Sequence, residues 1–140
     1  MVRINLIKPK SLADQHLIAE YNEILMLLGH IDKFPLISTQ PNEYCLGKGH
    51  INFFKDKIKY LKKRHELVKK EMSRRGFKTS KTINLNKYPK DYIKDWKPKT
   101  KDKELIKKRL ITKINLKPKY YRYKGEKKTK KYFIDLIKKG

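Results

Sequence analysis

Residues 11–28, which read SLADQHLIAEYNEILMLL, decide the fold of this chain. Apolar residues recur there every three or four positions, the spacing that places them on one face of an α-helix. Ser11 is a favourable N-cap and Asp14 adds a negative charge in the first turn, so we expect the helix to begin at Ser11. Gly29 is expected to end or loosen it. The predicted core face consists of Ala13, Leu17, Tyr21, Ile24 and Leu28.

Two further helices are expected, over residues 49–75 and 101–113. The first of these ends at Arg74-Arg75-Gly76, with basic residues in its last turn and a glycine beyond them. Proline breakers indicate irregular connections over residues 30–46 and 77–99. We therefore predict an all-α fold, a single compact domain of three main helices at about 11–28, 49–75 and 101–113, with long irregular connections and a basic C-terminal tail.

The chain end is rich in lysine. We divide the sequence into a domain of residues 1–125 and a lysine-rich C-terminal extension of residues 126–140, in which Tyr132–Ile137 has room for a short helix.

Charge separates the chain into two halves. Five of the 38 basic residues and five of the 14 acidic residues lie in residues 1–50, so the net charge of +24 arises in residues 51–140. A nucleotide-biased genome accounts for part of the lysine content. The remaining asymmetry favours a polyanionic partner such as nucleic acid. A basic membrane-surface protein fits less well, because no strongly amphipathic basic helix carries exposed aromatic residues.

Composition disfavours several other classes of protein. No apolar run approaches the roughly 18 residues of a membrane helix, and no signal peptide is visible. Cys45 is the only cysteine, which excludes an internal disulfide and fits a reducing cytosol. Cys45 and the four histidines form no ligand pair of recognised spacing, so we expect no metal and no other cofactor. These features predict a cytoplasmic protein with no membrane partner, and we expect it to be a monomer that associates with DNA.

The first residues of the chain supply a nucleophile if Met1 is removed. The chain then begins at Val2, whose α-amine has a reference pKa near ~8 and is partly unprotonated at neutral pH. Such an amine can attack an aldehyde-like carbon and form an imine.

Glu23 is a candidate acid or base for this chemistry. It lies on a second helical stripe with Leu12, His16 and Ala19, beside the core face. No basic residue lies three or four positions away, which favours a raised pKa for its carboxyl. Two simpler interpretations stay open. Glu23 could be a solvated surface acid, and His16 could be an ordinary half-buried histidine paired with Glu20.

Three other groups are candidate nucleic-acid contacts. Residues 47–50 (GKGH) resemble a weak phosphate loop but lack the full P-loop spacing, so a tight turn with modest contact from Lys48 and His50 to the DNA backbone fits better. Residues 119–125 (KYYRYKG) interleave aromatic rings with cations, a pattern suited to stacking on bases, although the rings could instead pack on the core. Arg109 and Lys113 share one face of the third helix and are plausible phosphate contacts.

Three blocks of sequence resemble the phage-type pyrimidine-dimer DNA glycosylase family, often called endonuclease V. The first block is RINL at 3–6 with LADQHL at 12–17 and AEYNE at 19–23. The second block is LGKGH at 46–50 with FFKDK at 53–57, Leu61, Lys63-Arg64 and RGF at 75–77. The third, weaker block is DYI at 91–93 with Pro118 and YYRYKG at 120–125.

The resemblance implies an all-α enzyme that excises ultraviolet-induced pyrimidine dimers from double-stranded DNA and then cleaves the abasic strand. The α-amine of Val2 would attack the 5′ sugar of the dimer, and Glu23 would stabilise the cationic sugar and manage the proton transfers. Arg3 and His16 would hold the sugar-phosphate at the site. The cluster Tyr120, Tyr121, Arg122 and Tyr123 would engage the lesion.

The chain departs from the family pattern at several points. Val2 replaces the usual threonine, which the main-chain amine tolerates. Asn22 and Met26 occupy two positions at which the family has arginine, which changes the contacts with DNA or lesion. Tyr120 stands where a tryptophan is expected. The connection after the first helix is shorter, and the tail beyond Gly125 is longer.

Two alternative functions stay open at this stage. One is a glycosylase and lyase with a shifted range of lesions, because of Asn22 and Met26. The other is a non-catalytic basic protein that binds nucleic acid, such as a ribosomal or chromatin component.

Overall fold

A computed structural model describes residues 3–34 and 40–140. It contains five α-helices and one short β-hairpin in the described ranges, so the predicted all-α class is confirmed. In chain order the elements are α1 (Asp14–Lys33), α2 (His50–Phe54), α3 (Ile58–Arg74), α4 (Thr100–Leu116), β1 (Arg122–Tyr123), β2 (Glu126–Lys127) and α5 (Lys130–Lys139).

The first helix lies where it was predicted, but both of its ends differ. Pro9 starts a separate 3-10 helix over Pro9–Ser11, so Ser11 closes that turn and the N-cap of α1 is Ala13. Gly29 does not end α1, which continues to Lys33. A glycine costs about 1 kcal/mol within a helix, and burial of Ile31 in the next turn offsets that cost. Residues 35–39 of the predicted connection lie outside the described residues.

The predicted helix over 49–75 is two helices, because residues 55–57 pair with a distant segment. Lys57 forms an antiparallel bridge with Ile93, and the Lys94 amide donates to the Asp56 carbonyl at 3.0 Å. The last carbonyls of α2 are satisfied by side chains together with the amides of Lys55 and Lys57, which close the turn after the helix. Gln40 Nε2 donates to the Asn52 and Phe53 carbonyls, and Lys57 Nζ donates to the Phe53 carbonyl.

Helices α1 and α3 form the centre of the core. Leu17, Ile24, Leu61 and Val68 are fully buried along their shared contact. A bidentate ion pair crosses the same contact, with Arg64 Nε 2.6 Å from one oxygen of Glu20 and Nη2 2.9 Å from the other. Breaking such a buried pair costs about 3–5 kcal/mol, so this contact fixes α1, and with it the residues on the opposite side of α1.

The C-terminal third packs against this core. Helix α4 occupies the predicted 101–113 region and is slightly longer at both ends, and the short helix expected near Tyr132–Ile137 is α5. Helix α5 packs on α4 and on the 3-10 helix, and it buries Phe133 and Ile137. The division at residue 125 stays a prediction. Over the described parts of the chain, no helix has the length and apolar character needed to cross a bilayer.

Candidate active site

A cavity of about 220 Å³ opens between α1, the segment before it, α4 and the residues leading into the hairpin. Half of the binding residues predicted from the sequence meet there, although they come from distant parts of the chain. Its lining consists of Arg3, Asn5, Gln15, His16, Ala19, Arg109, Lys113, Tyr120 and Tyr121.

The cavity is cationic. Arg3, Arg109 and Lys113 line it, and no carboxylate is among the described residues of that lining. Burial, followed by the nearby charge of Arg3, lowers the pKa of Arg109. Like charges in a partly buried cavity are stabilised when an anion binds, and a DNA phosphate is such an anion.

His16 forms one wall of the cavity and is neutral at physiological pH. Its ring lies 4.7 Å from the ring of Tyr121, measured between centroids. Burial, followed by the charges of Arg109 and Lys113, lowers its pKa to about 4. His16 therefore offers a hydrogen bond to a ligand in the cavity and no charge. The alternative in which His16 pairs with Glu20 does not hold, because Glu20 forms an ion pair with Arg64.

Glu23 is not in the lining of the cavity but lies one helical turn beyond Ala19, which is. Its side chain is only 9% exposed. Burial raises the pKa of its carboxyl, and the nearby charge of Arg3 opposes that effect without cancelling it. A carboxyl with a raised pKa exchanges protons more readily near neutral pH than an ordinary surface glutamate does.

Gln15 holds the aromatic wall in place. Its Nε2 donates to the Tyr120 carbonyl at 3.2 Å, and its Oε1 accepts from the Arg122 amide at 3.0 Å. These two hydrogen bonds bracket Tyr121, which is buried, while Tyr120 is 57% exposed at the rim. Gln15 therefore fixes the backbone that carries both rings, the buried ring of Tyr121 and the accessible ring of Tyr120.

The β-hairpin behind this wall is attached to the first turn of α1. Asp14 accepts from the amides of Lys124 and Gly125 at 2.9 and 2.7 Å, and from Arg75 Nη1 at 3.0 Å. Both turn residues have positive φ, 53° at Lys124 and 81° at Gly125, which is the conformation of a two-residue hairpin turn. The buried carboxylate thus compensates a conformation that is unfavourable for lysine.

The remaining members of the aromatic cluster are not in the cavity. The ring of Tyr123 stacks under the Arg75 guanidinium at 4.0 Å, and its hydroxyl donates to the Lys10 carbonyl. Tyr123 therefore packs against the protein, as the alternative interpretation of the cluster proposed. Arg122 is exposed on the hairpin.

Four other predicted residues lie outside the cavity lining. Asn22 and Met26 are exposed on α1 near Glu23, with Met26 at 68% exposure, and Lys48 is exposed in the turn before α2. His50 is 1% exposed and both of its ring nitrogens are engaged with backbone groups. Its predicted contact with DNA does not fit this burial. Val2 lies outside the described residues.

Asn5, Gln15 and Ala19 are site residues that the sequence did not single out. Gln15 and Ala19 lie within the first resemblance block beside His16 and Glu23, so their helical spacing could have indicated them. Asn5 belongs to the same block, but it lies before the helix and so has no helical spacing to indicate it. Within residues 3–34 and 40–140, no group of three or more histidine, cysteine or acidic residues is placed to hold a metal ion.

A helical domain with a cationic cavity beside a proton-exchanging carboxyl has the features of an enzyme that acts on a phosphate-bearing polymer. The comparison with protein families agrees. The family model for pyrimidine dimer DNA glycosylase matches residues 1–85, more than half of the chain. The chain therefore belongs to the pyrimidine dimer DNA glycosylase family, a family of DNA repair enzymes.

The family match covers only part of the cavity. Arg3, His16 and Glu23 lie within the matched residues, whereas Arg109, Lys113, Tyr120 and Tyr121 lie beyond them. The residues beyond the match reach the site because the fold brings α4 and the segment before β1 next to α1. Family membership favours an enzyme over the non-catalytic nucleic-acid-binding protein that the charge alone allowed.

Proposed function

We propose that this protein excises cyclobutane pyrimidine dimers from double-stranded DNA and then cleaves the abasic strand through an imine with the α-amine of Val2. Family membership supports the glycosylase activity. The observation that carries the rest of the proposal is the cationic cavity beside Glu23. Arg3 lines that cavity and is joined to Val2 by one peptide bond.

The glycosylase step exchanges one bond to the sugar for another. The Val2 nitrogen bonds to C1′ of the 5′ nucleotide of the dimer as the bond from C1′ to the pyrimidine breaks. The released base takes up a proton and stays attached to its neighbour through the cyclobutane ring. The nitrogen loses a proton, the C1′–O4′ bond breaks with a proton going to O4′, and an imine forms.

The lyase step then breaks the strand by β-elimination. A base removes a proton from C2′, the C3′–O bond breaks, and the phosphate leaves with the bonding electrons. Water hydrolyses the imine and regenerates the amine. Glu23 is the proton carrier for both steps, because its buried carboxyl has a raised pKa and lies beside the cavity.

The cavity and the exposed side of α1 make different contacts with the DNA. Arg3, Arg109 and Lys113 hold phosphates, and the exposed ring of Tyr120 stacks on a base. Asn22 and Met26 face outward beyond Glu23 and contact the duplex without adding a charge. Contacts of this kind affect the choice of lesion more than the overall affinity.

The test replaces Glu23 by glutamine. We expect Glu23→Gln to bind a duplex with one thymine dimer with unchanged Kd and to lose base excision by at least a hundredfold, because the proton carrier is gone. Glu66→Gln is the matched control, since Glu66 is an exposed acid on α3 away from the cavity. Excision by Glu23→Gln at the wild-type rate would contradict the role of Glu23.

A further inference from the structure

The segment before α1 is fixed by backbone and side-chain groups of residues 44–50. The Tyr44 hydroxyl donates to the Ile4 carbonyl at 2.8 Å, and the Ile4 amide donates to His50 Nε2 at 3.1 Å. Arg3 Nε donates to the Leu46 carbonyl at 2.8 Å. Both backbone groups of Ile4 are therefore held by side chains some 40 residues further along the chain.

The surroundings of His50 dictate its tautomer. Nδ1 lies 2.8 Å from the Cys45 carbonyl, which accepts a hydrogen bond, so Nδ1 carries the proton and Nε2 is free to accept from Ile4. The preceding residue, Gly49, packs closely against the Pro41 ring. A Cβ at Gly49 would come within 2.5 Å of Pro41 Cγ, so only glycine fits beside His50.

The segment between Ile4 and α1 is strained. Leu6 has a φ of 59°, and the Ile7 amide donates across it to the Asn5 carbonyl at 2.6 Å, which is the three-residue γ-turn with positive φ. Such a turn persists only where the surroundings over-determine it. Ile4 and Ile7 are buried at either side of the turn, and Arg64 Nη1 donates to the Ile7 carbonyl.

We propose that Tyr44 and His50 are positioning residues: by fixing the backbone of Ile4, they set the direction in which the chain leaves Ile4 towards Arg3 and the amine. The proposal rests on the proposed function, because it assigns these contacts to the placement of the amine nucleophile. Tyr44 is 5% and His50 1% exposed, so neither contacts DNA. Their effect on the reaction passes through the backbone of Ile4.

Tyr44→Phe tests this assignment with a small change. Phenylalanine keeps the ring that packs against Phe53, Phe54 and Trp96, and it removes only the hydroxyl that binds Ile4. Tyr21→Phe is the matched control. Tyr21 is 7% exposed and its hydroxyl accepts from the amides of Ser80 and Lys81, so this variant also loses buried hydrogen bonds but leaves Ile4 untouched.

The measurement is single-turnover trapping by borohydride on a duplex with one abasic site, at saturating DNA. A misplacement of about 1 Å can slow a reaction by up to about a hundredfold, so we expect Tyr44→Phe to trap more than tenfold more slowly than wild type. Its Kd for the duplex should change by less than twofold. Tyr21→Phe should trap at the wild-type rate, even if its Tm falls as far as that of Tyr44→Phe.

His50→Gln supplies the second variant. Glutamine can accept from Ile4 and donate to Cys45, so trapping should stay within about threefold of wild type, whereas His50→Ala should trap as slowly as Tyr44→Phe. Wild-type trapping rates in both Tyr44→Phe and His50→Ala, or equal slowing in Tyr21→Phe, would overturn the positioning role alone. Absence of trapping at Val2 in the wild-type protein would overturn the proposed function as well.

Discussion

Removal of the Asp14 carboxylate is expected to detach the β-hairpin from α1. In Asp14→Ala, the amides of Lys124 and Gly125 lose an ionised acceptor and the buried Arg75 loses one of its partners. Each such hydrogen bond contributes about 1.5–3 kcal/mol. The turn residues are exposed and regain water, so each of their two amide hydrogen bonds should contribute near the low end of this range, and Arg75 adds little because it keeps Glu71.

We therefore expect Asp14→Ala to lower the free energy of unfolding by about 3 kcal/mol. The unfolding entropy of 140 residues is about 0.3 kcal/mol/K, so Tm should fall by about 10 °C. The assay is thermal unfolding followed by circular dichroism, with the exposed Asp135→Ala on α5 as the control. A decrease in Tm below about 2 °C would refute the argument that Asp14 anchors the hairpin.

Two further predictions concern pH and salt. Burial lowers the folded-state pKa of His50 to about 4, below the ordinary histidine value of 6.5, so its contribution to stability is fully present above pH 6.5 and is lost as pH falls towards 4. Between pH 7 and pH 5 the wild-type free energy of unfolding should therefore decrease by about 2 kcal/mol more than that of His50→Gln in urea titrations, and equal decreases would contradict the burial argument. Arg109→Ala should reduce the slope of log Kd against log salt concentration by about one, because one phosphate contact is lost, whereas the exposed Lys108→Ala on the same helix should leave it nearly unchanged.

The helices could be predicted from the sequence because their apolar spacing is local. The stripe of Leu17, Tyr21 and Ile24 can be recognised from its spacing in the sequence, and it is buried in the structure. The break after Phe54 could not be predicted, because it depends on the pairing of residues 56 and 57 with 93 and 94. The continuation of α1 past Gly29 likewise depends on tertiary burial of Ile31.

The candidate site was predictable where chemistry is concentrated in short blocks. The family resemblance implied Arg3 and His16 as site residues, the mixture of rings and cations indicated the Tyr120–Tyr121 pair, and all four share one cavity. The contacts that hold this cavity together were not predictable. Gln15 reaches Tyr120 across 105 residues of sequence, and His50 reaches Ile4 across 46. Such contacts leave no periodic or spacing signal in a single sequence.

The most direct test of the central claim is borohydride reduction of wild-type protein mixed with a duplex that carries one cis-syn thymine dimer. Mass spectrometry first establishes that Met1 is absent, and peptide mapping then locates any covalent adduct. We predict a single adduct, between the DNA sugar and the α-amine of Val2, that Glu23→Gln fails to form. No adduct with protein that lacks Met1, or an adduct on lysine side chains alone, would contradict the account.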